Sequence, residues 1–244
     1  MVITVMDQLV YNDYSMIGQP VYDNYNMIDC LDNNDFGGIG FMKKEEKTEL
    51  TKEKIINAAI LEFGTKGYDG SSLNNISNTG ISKGLIYHNF KNKDEVYLAC
   101  VERCFSSLKT YLQGQAADID LQQYMDLRFH FFSENELYAR IFFEAVLQPP
   151  KKLSERIKEL KKDFDGLNMQ IYCSTLSTVK LRDGVKESEA LQYFEIVQKM
   201  FNGYFSSPAY SDTTFTNVIA DHEIMLSKLL DYMLYGIAER RKKI

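Results

Sequence analysis

The stretch that decides the fold is residues 71–93, which read SSLNNISNTGISKGLIYHNFKNK. Ser71 or Ser72 can cap a first short helix through its side-chain oxygen. Gly80 can adopt the positive φ that ends a helix and turns the chain. Ser82 can then cap a second short helix. Two short helices joined by such a turn are the layout of a helix-turn-helix.

The second helix of this pair has the chemistry that DNA recognition needs. Helix-turn-helix proteins place their second helix in the major groove, and a serine cap, a basic residue and a glycine in its first turn suit an anionic backbone. The residues at or near its surface are Lys83, Gly84, Leu85, Tyr87 and His88. For Leu85 two alternatives are open: contact with a thymine methyl group, or a side chain that points into the core.

Charge alone does not predict a nucleic-acid partner. The formal net charge is −6, with 28 Lys and Arg against 34 Asp and Glu. Residues 1–41 account for this excess, because they contain six Asp and no Lys or Arg. Residues 42–95 carry nine Lys and eight acidic residues, so they are only slightly basic. The prediction of DNA binding therefore depends on where Lys83, Lys91 and Lys93 lie.

Residues 1–41 are rich in Asp, Asn, Tyr and Gly and have no sustained helical or strand periodicity. We expect a flexible acidic extension, and two alternatives are open: a genuine tail, or a native translation start at Met42. The first residues lack the basic and apolar regions of a signal peptide. No apolar run approaches the roughly 20 residues of a membrane span. The sequence thus predicts a cytoplasmic protein with no membrane partner.

Apolar residues at helical spacing predict helices along the rest of the chain. Thr51 is a good N-cap for a helix that reaches about Lys66, and Asn92 is one for a helix that ends near Gly114. Later helices are expected to end at Leu147 and to span roughly residues 151–178, 187–205 and 212–238. Four prolines and no tryptophan also favour long helices over strands. We therefore expect an all-α fold of about nine helices.

The last two predicted helices, residues 187–205 and 212–238, have large apolar faces. Two adjacent faces of this size are more than one small domain readily buries. We therefore expect them to pair with a second copy of the chain in an isologous four-helix interface. The alternative is that they only complete the core of the monomer.

The segment around the predicted helix-turn-helix resembles the tetracycline-repressor (TetR) family of bacterial one-component regulators. The resemblance starts at residues 54–59, KIINAA, and is strongest at residues 80–90, GISKGLIYHNF, with Lys93; it covers about 45 residues. One position departs from the family pattern. Four steps separate Ile76 from Gly80, where the family usually has five, so either the first helix of the pair ends early or the turn is tighter.

The resemblance implies a homodimer whose N-terminal three-helix domains bind a palindromic operator in double-stranded DNA. It also implies a C-terminal helical domain that dimerises and holds a pocket for a small-molecule inducer. The predicted organisation is an extension at 1–41, a helix-turn-helix DNA-binding domain at 42–95 and a helical ligand-binding and dimerisation domain at 96–244. Carried over position by position, the resemblance implies phosphate contacts at Ser71, Ser72, Tyr87 and Lys93. It assigns to the recognition helix Ser82, Lys83, Gly84, Leu85 and His88.

The central helices offer aromatic candidates for the inducer pocket. These are Tyr124, Phe129, Phe132, Phe142, Phe143 and Tyr172. Aromatic residues at helical spacing are also what a plain core contains, so both alternatives are open. Charge is scarce along these faces, and we therefore expect a bulky apolar or aromatic inducer of unknown identity.

The sequence contains no paired Glu-x-x-His motifs, nucleophile elbow or glycine-rich phosphate loop. Its four cysteines and three histidines lack zinc-type spacing. We therefore expect no catalytic residues, no metal and no cofactor. The favoured function is a ligand-responsive transcriptional regulator, a repressor that its inducer releases from DNA. The alternative is a helical dimeric sensor or interaction protein with a degenerate DNA-binding domain.

Overall fold

The protein is all-α in the computed structural model, which describes residues 44–115, 119–207 and 213–237. These ranges contain nine α-helices, which confirms the predicted fold class, and one short 3-10 helix at Lys151–Leu153. The α-helices are α1 Lys44–Gly70, α2 Leu73–Ser77, α3 Lys83–Asn89, α4 Lys93–Gln115, α5 Leu121–Glu134, α6 Glu136–Leu147, α7 Ser154–Ser177, α8 Glu187–Phe205 and α9 Phe215–Ile237.

The described residues belong to one compact unit, Lys43–Ile244. The acidic extension predicted at residues 1–41 lies outside the described residues. The division of the remainder at residue 95 into two functional domains stays a prediction.

The first helix, α1, is longer than the sequence patterns predict. It begins at Lys44, so the predicted N-cap at Thr51 is wrong. The Thr51 hydroxyl instead donates to the carbonyl oxygen of Lys47, at 2.8 Å, a bond that threonine commonly makes inside a helix. The regular helix is interrupted at Gly67, which has φ 71° and ψ 176°.

Two helices in the middle of the chain, α4 and α6, hold the fold together. The buried side of α4 is a stripe at helical spacing that includes Val101, Leu108 and Leu112. This helix packs against α1, α6 and α7, and α6 packs against both α1 and α9. The helix-turn-helix at one end of the chain is therefore joined through α6 to the last helix.

The C-terminal helices α8 and α9 each have two apolar faces. Their inner faces pack against each other and against α6, with Phe205, Val218 and Leu230 almost fully buried. The opposite faces contain large apolar side chains that are exposed in the single chain.

Candidate nucleic-acid interface

The start of α2 is fixed by side chains of α1. The Ser72 hydroxyl caps α2 by accepting from the Asn75 N–H at 3.1 Å, as predicted for one of the two serines. Glu62, on α1, accepts from the Asn75 side-chain amide at 2.7 Å and from the Ser72 N–H at 3.3 Å. These bonds hold the first helix of the helix-turn-helix against α1.

The neighbouring serine, Ser71, is held by a hydrogen bond inside the protein. It is buried, and its hydroxyl donates to the Gly67 carbonyl oxygen at 2.6 Å. A phosphate contact from this side chain would break that bond. The phosphate contacts at Ser71 and Ser72 stay predictions.

The turn between α2 and α3 accommodates the missing residue by shortening the first helix. Helix α2 has only five residues and ends at Ser77. Gly80 has a φ of 97°, as its place in the turn predicts, and its N–H donates to the Ser77 carbonyl oxygen at 3.2 Å. The alternative that the helix ends early is thus the one that the structure supports.

Helix α3, the predicted recognition helix, presents the predicted residues to solvent. Ser82 caps it by accepting from the Leu85 N–H at 3.3 Å. Ile86 is fully buried and anchors the helix to the core. The side of α3 away from this anchor is exposed and carries Ser82, Lys83, Gly84, Leu85, Tyr87 and His88. Leu85 is 42% exposed, so it lies at the surface and not in the core.

Tyr68 forms the corner where the segment before α2 meets the start of α4. Its hydroxyl donates to Asp94, and the ammonium group of Lys93 lies 4.3 Å from the centre of its ring. The Lys152 ammonium group reaches the same corner from the turn after α6, 2.8 Å from Asp94 Oδ1 and 5.5 Å from the ring centre. The sequence patterns did not identify Lys152, because it is 58 positions away from Asp94.

Glu144 of α6 contacts the other side of this corner. Its carboxylate accepts from the Tyr68 N–H at 2.9 and 3.1 Å and from the Tyr97 hydroxyl at 3.0 Å. Burial raises the pKa of Glu144, although these two donors and Arg140 act to lower it. Glu144 thus ties α6 to the break in α1 just before the helix-turn-helix.

A buried polar network lies in the C-terminal helices. The Arg128 guanidinium donates to both carboxylate oxygens of Glu223, at 3.1 and 2.7 Å, and to the Tyr124 hydroxyl at 3.2 Å. The Tyr124 hydroxyl donates to Asn168 Oδ1 at 2.6 Å. His222 Nδ1 lies 3.1 Å from Glu223 Oε1. The network joins α5, α7 and α9.

Within this network, Arg128 and Glu223 stay ionised. Burial alone would raise the pKa of Glu223, but Arg128 and His222 lower it to about 2. Burial also lowers the pKa of His222, so this ring favours its neutral form. Arg128 and Glu223 therefore form a fully buried ion pair inside a shell of phenylalanine rings, which includes Phe132, Phe142 and Phe164.

The aromatic residues predicted for the inducer pocket occupy three different environments. Tyr124, Phe132, Phe142 and Phe143 are core side chains around the ion pair. Phe129 is 54% exposed on α5, so it lies at the surface of the single chain, and its place in a pocket stays a prediction. Tyr172 does line a cavity of about 20 Å³, which also includes Leu121, Thr175, Phe194 and Met233. That volume has room for about one water molecule.

Two further properties bear on function. In the helices of the described ranges, no segment combines the length and apolar character that crossing a lipid bilayer requires. Among the residues that the structure describes, no three His, Cys, Asp or Glu side chains are grouped so that they would hold a metal ion.

Comparison with known sequences identifies relatives of part of the chain. Residues 55–100 match the sequence model for bacterial regulatory proteins of the tetR family. The biofilm operon icaADBC HTH-type negative transcriptional regulator IcaR of Staphylococcus epidermidis is 36% identical over 113 residues, which are 44% of this chain and 59% of IcaR. IcaR of Staphylococcus aureus strain Newman is 30% identical over 102 residues, 40% of this chain and 55% of IcaR. The match thus spans less than two thirds of the curated relatives.

Solved structures share the fold over a longer part of the chain. A TetR family transcriptional regulator from Cytophaga hutchinsonii has a TM-score of 0.56 at 16% identity, over 82% of this chain and 100% of that chain. The fatty acid degradation regulator FadR from Bacillus halodurans has a TM-score of 0.55 at 16% identity, over 74% and 94%. At this identity the likeness concerns the fold alone.

Proposed function

Since this chain belongs to the tetR family of bacterial regulatory proteins, we propose that it is a transcriptional repressor that binds double-stranded DNA as a homodimer. The exposed face of α3 supports this most directly. It offers a basic side chain, a glycine that permits close approach and three further polar side chains, on a helix anchored by the buried Ile86. The relatives named as negative regulators agree with a repressor.

The proposed binding mode uses two copies of α3 in successive major grooves. Helix-turn-helix dimers bind two half-sites about 34–36 Å apart, one turn of DNA, so the operator would be palindromic. The phosphate contacts would come from Ser72, Lys83, Tyr87 and Lys93, and the base contacts from the other exposed residues of α3. Since residues 42–95 carry nine Lys against eight acidic residues, few phosphate contacts and a moderate dependence on salt are expected.

Replacing Lys83 and Lys93 together with Ala is expected to weaken binding to every DNA sequence. Each lost phosphate contact should reduce the slope of log K against log salt by about 0.9. In the double variant the slope should therefore be smaller by roughly 1.8. Fluorescence anisotropy on DNA that flanks the gene itself, over a series of salt concentrations, measures both quantities.

A matched control for that variant is Lys162→Ala. Lys162 is exposed on α7 and pairs with Glu159 three residues earlier, as surface lysines commonly do. Its loss should leave the slope unchanged. If the Lys83 and Lys93 variant bound DNA with the wild-type affinity and slope, the assignment of α3 as the recognition helix would be wrong.

The exposed apolar faces of α8 and α9 support a homodimer formed through these helices. Large apolar side chains repeat along each face at helical spacing. They are Tyr193, Ile196, Met200 and Tyr204 on α8, and Ile224, Met225, Tyr232 and Tyr235 on α9. A monomer rarely leaves an apolar surface of this extent open to solvent. A second copy related by a two-fold axis would cover the same faces on both chains.

Replacing Met200 and Tyr232 with Glu is expected to convert the dimer to monomers. Two-fold symmetry brings the new charges of both copies together, which costs several kcal/mol, so the dimer dissociation constant should rise by at least about 100-fold. Sedimentation velocity over a range of protein concentrations measures it. Phe129→Glu is the control, because Phe129 is an exposed aromatic residue on α5. An unchanged dissociation constant in the first variant would contradict this interface.

We also propose that a small apolar or aromatic molecule controls DNA binding. The cavity beside Tyr172 is lined by apolar side chains from α5, α7, α8 and α9. At about 20 Å³ it is much smaller than the roughly 300–1,000 Å³ of a typical ligand site. A ligand that enters here must move these helices apart, and it controls DNA binding only if the open and closed states differ in DNA affinity.

A further inference from the structure

The turn between α6 and α7 holds two lysines beside the helix-turn-helix. Leu153 is buried, and its N–H donates to the Pro150 carbonyl oxygen at 2.8 Å, which fixes the short 3-10 helix. Lys151 and Lys152 precede this anchor, and both are exposed. Their position is therefore set by the core of the C-terminal helices, while their side chains face solvent.

Lys152 is held at the corner that connects two parts of the proposed DNA-binding surface. Its ammonium group and that of Lys93 contact the ring of the same residue, Tyr68, at 5.5 and 4.3 Å from its centre. The two ammonium groups are therefore at most about 10 Å apart, a span of roughly three base-pair steps along DNA. Tyr68 lies four residues before the α2 cap Ser72, and Lys93 is the first residue of α4.

The ion pair with Asp94 leaves Lys152 able to bind another anion. Its ammonium group has three N–H donors, and the side chain is 61% exposed although one donor reaches Asp94. Burial alone would raise the pKa of Asp94, but Lys152 and Tyr68 lower it below its usual value, so Asp94 stays ionised. Lys152 thus both neutralises an acidic residue next to Lys93 and presents positive charge to solvent.

The Lys151–Lys152 turn adds two exposed positive charges to a corner that also holds several carboxylates. The lysines of the corner are Lys91, Lys93, Lys151 and Lys152, and the acidic residues are Asp69, Asp94, Glu95 and Glu144. Two of these four lysines come from outside the segment 55–100 that matches the family.

From this geometry we propose that the Lys151–Lys152 turn is a second phosphate-binding point for double-stranded DNA, supplied by the C-terminal helices. It rests on the proposed DNA-binding function and extends the contact surface beyond the helix-turn-helix. Because the turn follows α6 directly, a movement of α6 would withdraw charge from the DNA as well as reorient α3.

The full-length protein and a fluorescein-labelled DNA duplex of arbitrary sequence test this proposal, since phosphate contacts do not depend on sequence. Anisotropy titrations between about 50 and 200 mM salt give the slope of log K against log salt. Lys151→Ala with Lys152→Ala should reduce the slope by roughly 1–2, and Arg at both positions should retain the wild-type slope. Lys162→Ala is the surface control and should leave it unchanged.

Two further variants separate this proposal from simpler roles. If Lys152 only neutralises Asp94, the Asp94→Asn background would abolish the effect of removing Lys151 and Lys152, and the phosphate contact would be refuted. A wild-type slope in the Lys151 and Lys152 variant would refute it as well, provided that the Lys83 and Lys93 variant shows a reduced slope. If the wild-type protein bound no duplex at all, the proposed function itself would fail.

Discussion

Replacing Glu223 with Ala is expected to lower the free energy of unfolding by about 3–5 kcal/mol, because it leaves Arg128 as an uncompensated buried charge. The two side chains form an ion pair with two hydrogen bonds between α5 and α9, and both are almost completely buried. Arg128 would keep its bond to the Tyr124 hydroxyl, but that neutral acceptor cannot balance its charge. Urea unfolding monitored by circular dichroism at neutral pH measures the loss.

The pH dependence of stability gives a second readout for the same residue. The folded-state pKa of Glu223 is about 2, below its value in an unfolded chain. A group of this kind stabilises the fold above its unfolded pKa, and the contribution is lost as the pH falls toward 2. The wild-type protein should therefore lose stability between about pH 4.5 and 2 more steeply than the Glu223→Ala variant does.

Two controls distinguish a buried charge from a lost contact. Glu155→Ala removes an exposed acid that pairs with Lys158 on α7, and it should change stability by less than about 1 kcal/mol. Replacing Arg128 with Met and Glu223 with Leu together should cost much less than Glu223→Ala alone, because no charge is left unpaired. A double variant that is as unstable as the single variant would contradict this explanation.

The ion pair also illustrates what the sequence does not reveal. Arg128 and Glu223 are 95 positions apart, and no local pattern connects them. A signal was present on each helix: Arg128 follows Tyr124 by four positions on the buried side of α5, and Glu223 lies among buried residues of α9. A charge on an apolar stripe indicates a buried partner, but only the packing of the helices identifies which one.

The start of a helix was predictable where the residues before the N-cap do not themselves continue the helix. Asn92 caps α4 by accepting from the Glu95 N–H at 3.0 Å, and that helix begins at the expected place. Thr51 offers the same chemistry but lies inside α1, because the charged residues before it are good helix formers. The choice between a cap and an internal threonine depends on the preceding segment, and the cap pattern alone does not settle it.

The exposed residues of the candidate site were more predictable from the sequence than the distant residues that hold it in place. The exposed residues of α3 follow from local spacing around the buried Ile86. Glu144 and Lys152, which contact the Tyr68 corner, come from distant parts of the chain. Local patterns indicate which side chains face outward, whereas the long-range contacts that orient them arise only when α6 packs against α1.

The second large effect is expected at the break in α1. Gly67→Ala should destabilise the protein by about 1–3 kcal/mol, because φ 71° with ψ 176° is a backbone conformation that is almost exclusive to glycine. The new methyl group would also lie 2.9 Å from Glu144 Oε1, too close for the present hydrogen bonds to Tyr68. Since Gly67 precedes the cap Ser72, the variant should also weaken DNA binding.

Gly166→Ala is the matched control for Gly67→Ala. Gly166 lies inside α7, and apart from the adjacent backbone of its own helix no atom lies within 4 Å of the added methyl group, so alanine there should stabilise the protein by about 0.5–1 kcal/mol. Urea unfolding of both variants gives the difference. Adding Glu144→Ala to Gly67→Ala should cost less than the sum of the two single changes, because the methyl group no longer meets the carboxylate. If the losses of stability were strictly additive, the cost of Gly67→Ala would come from backbone strain alone. The contact between the new methyl group and Glu144 would then contribute nothing.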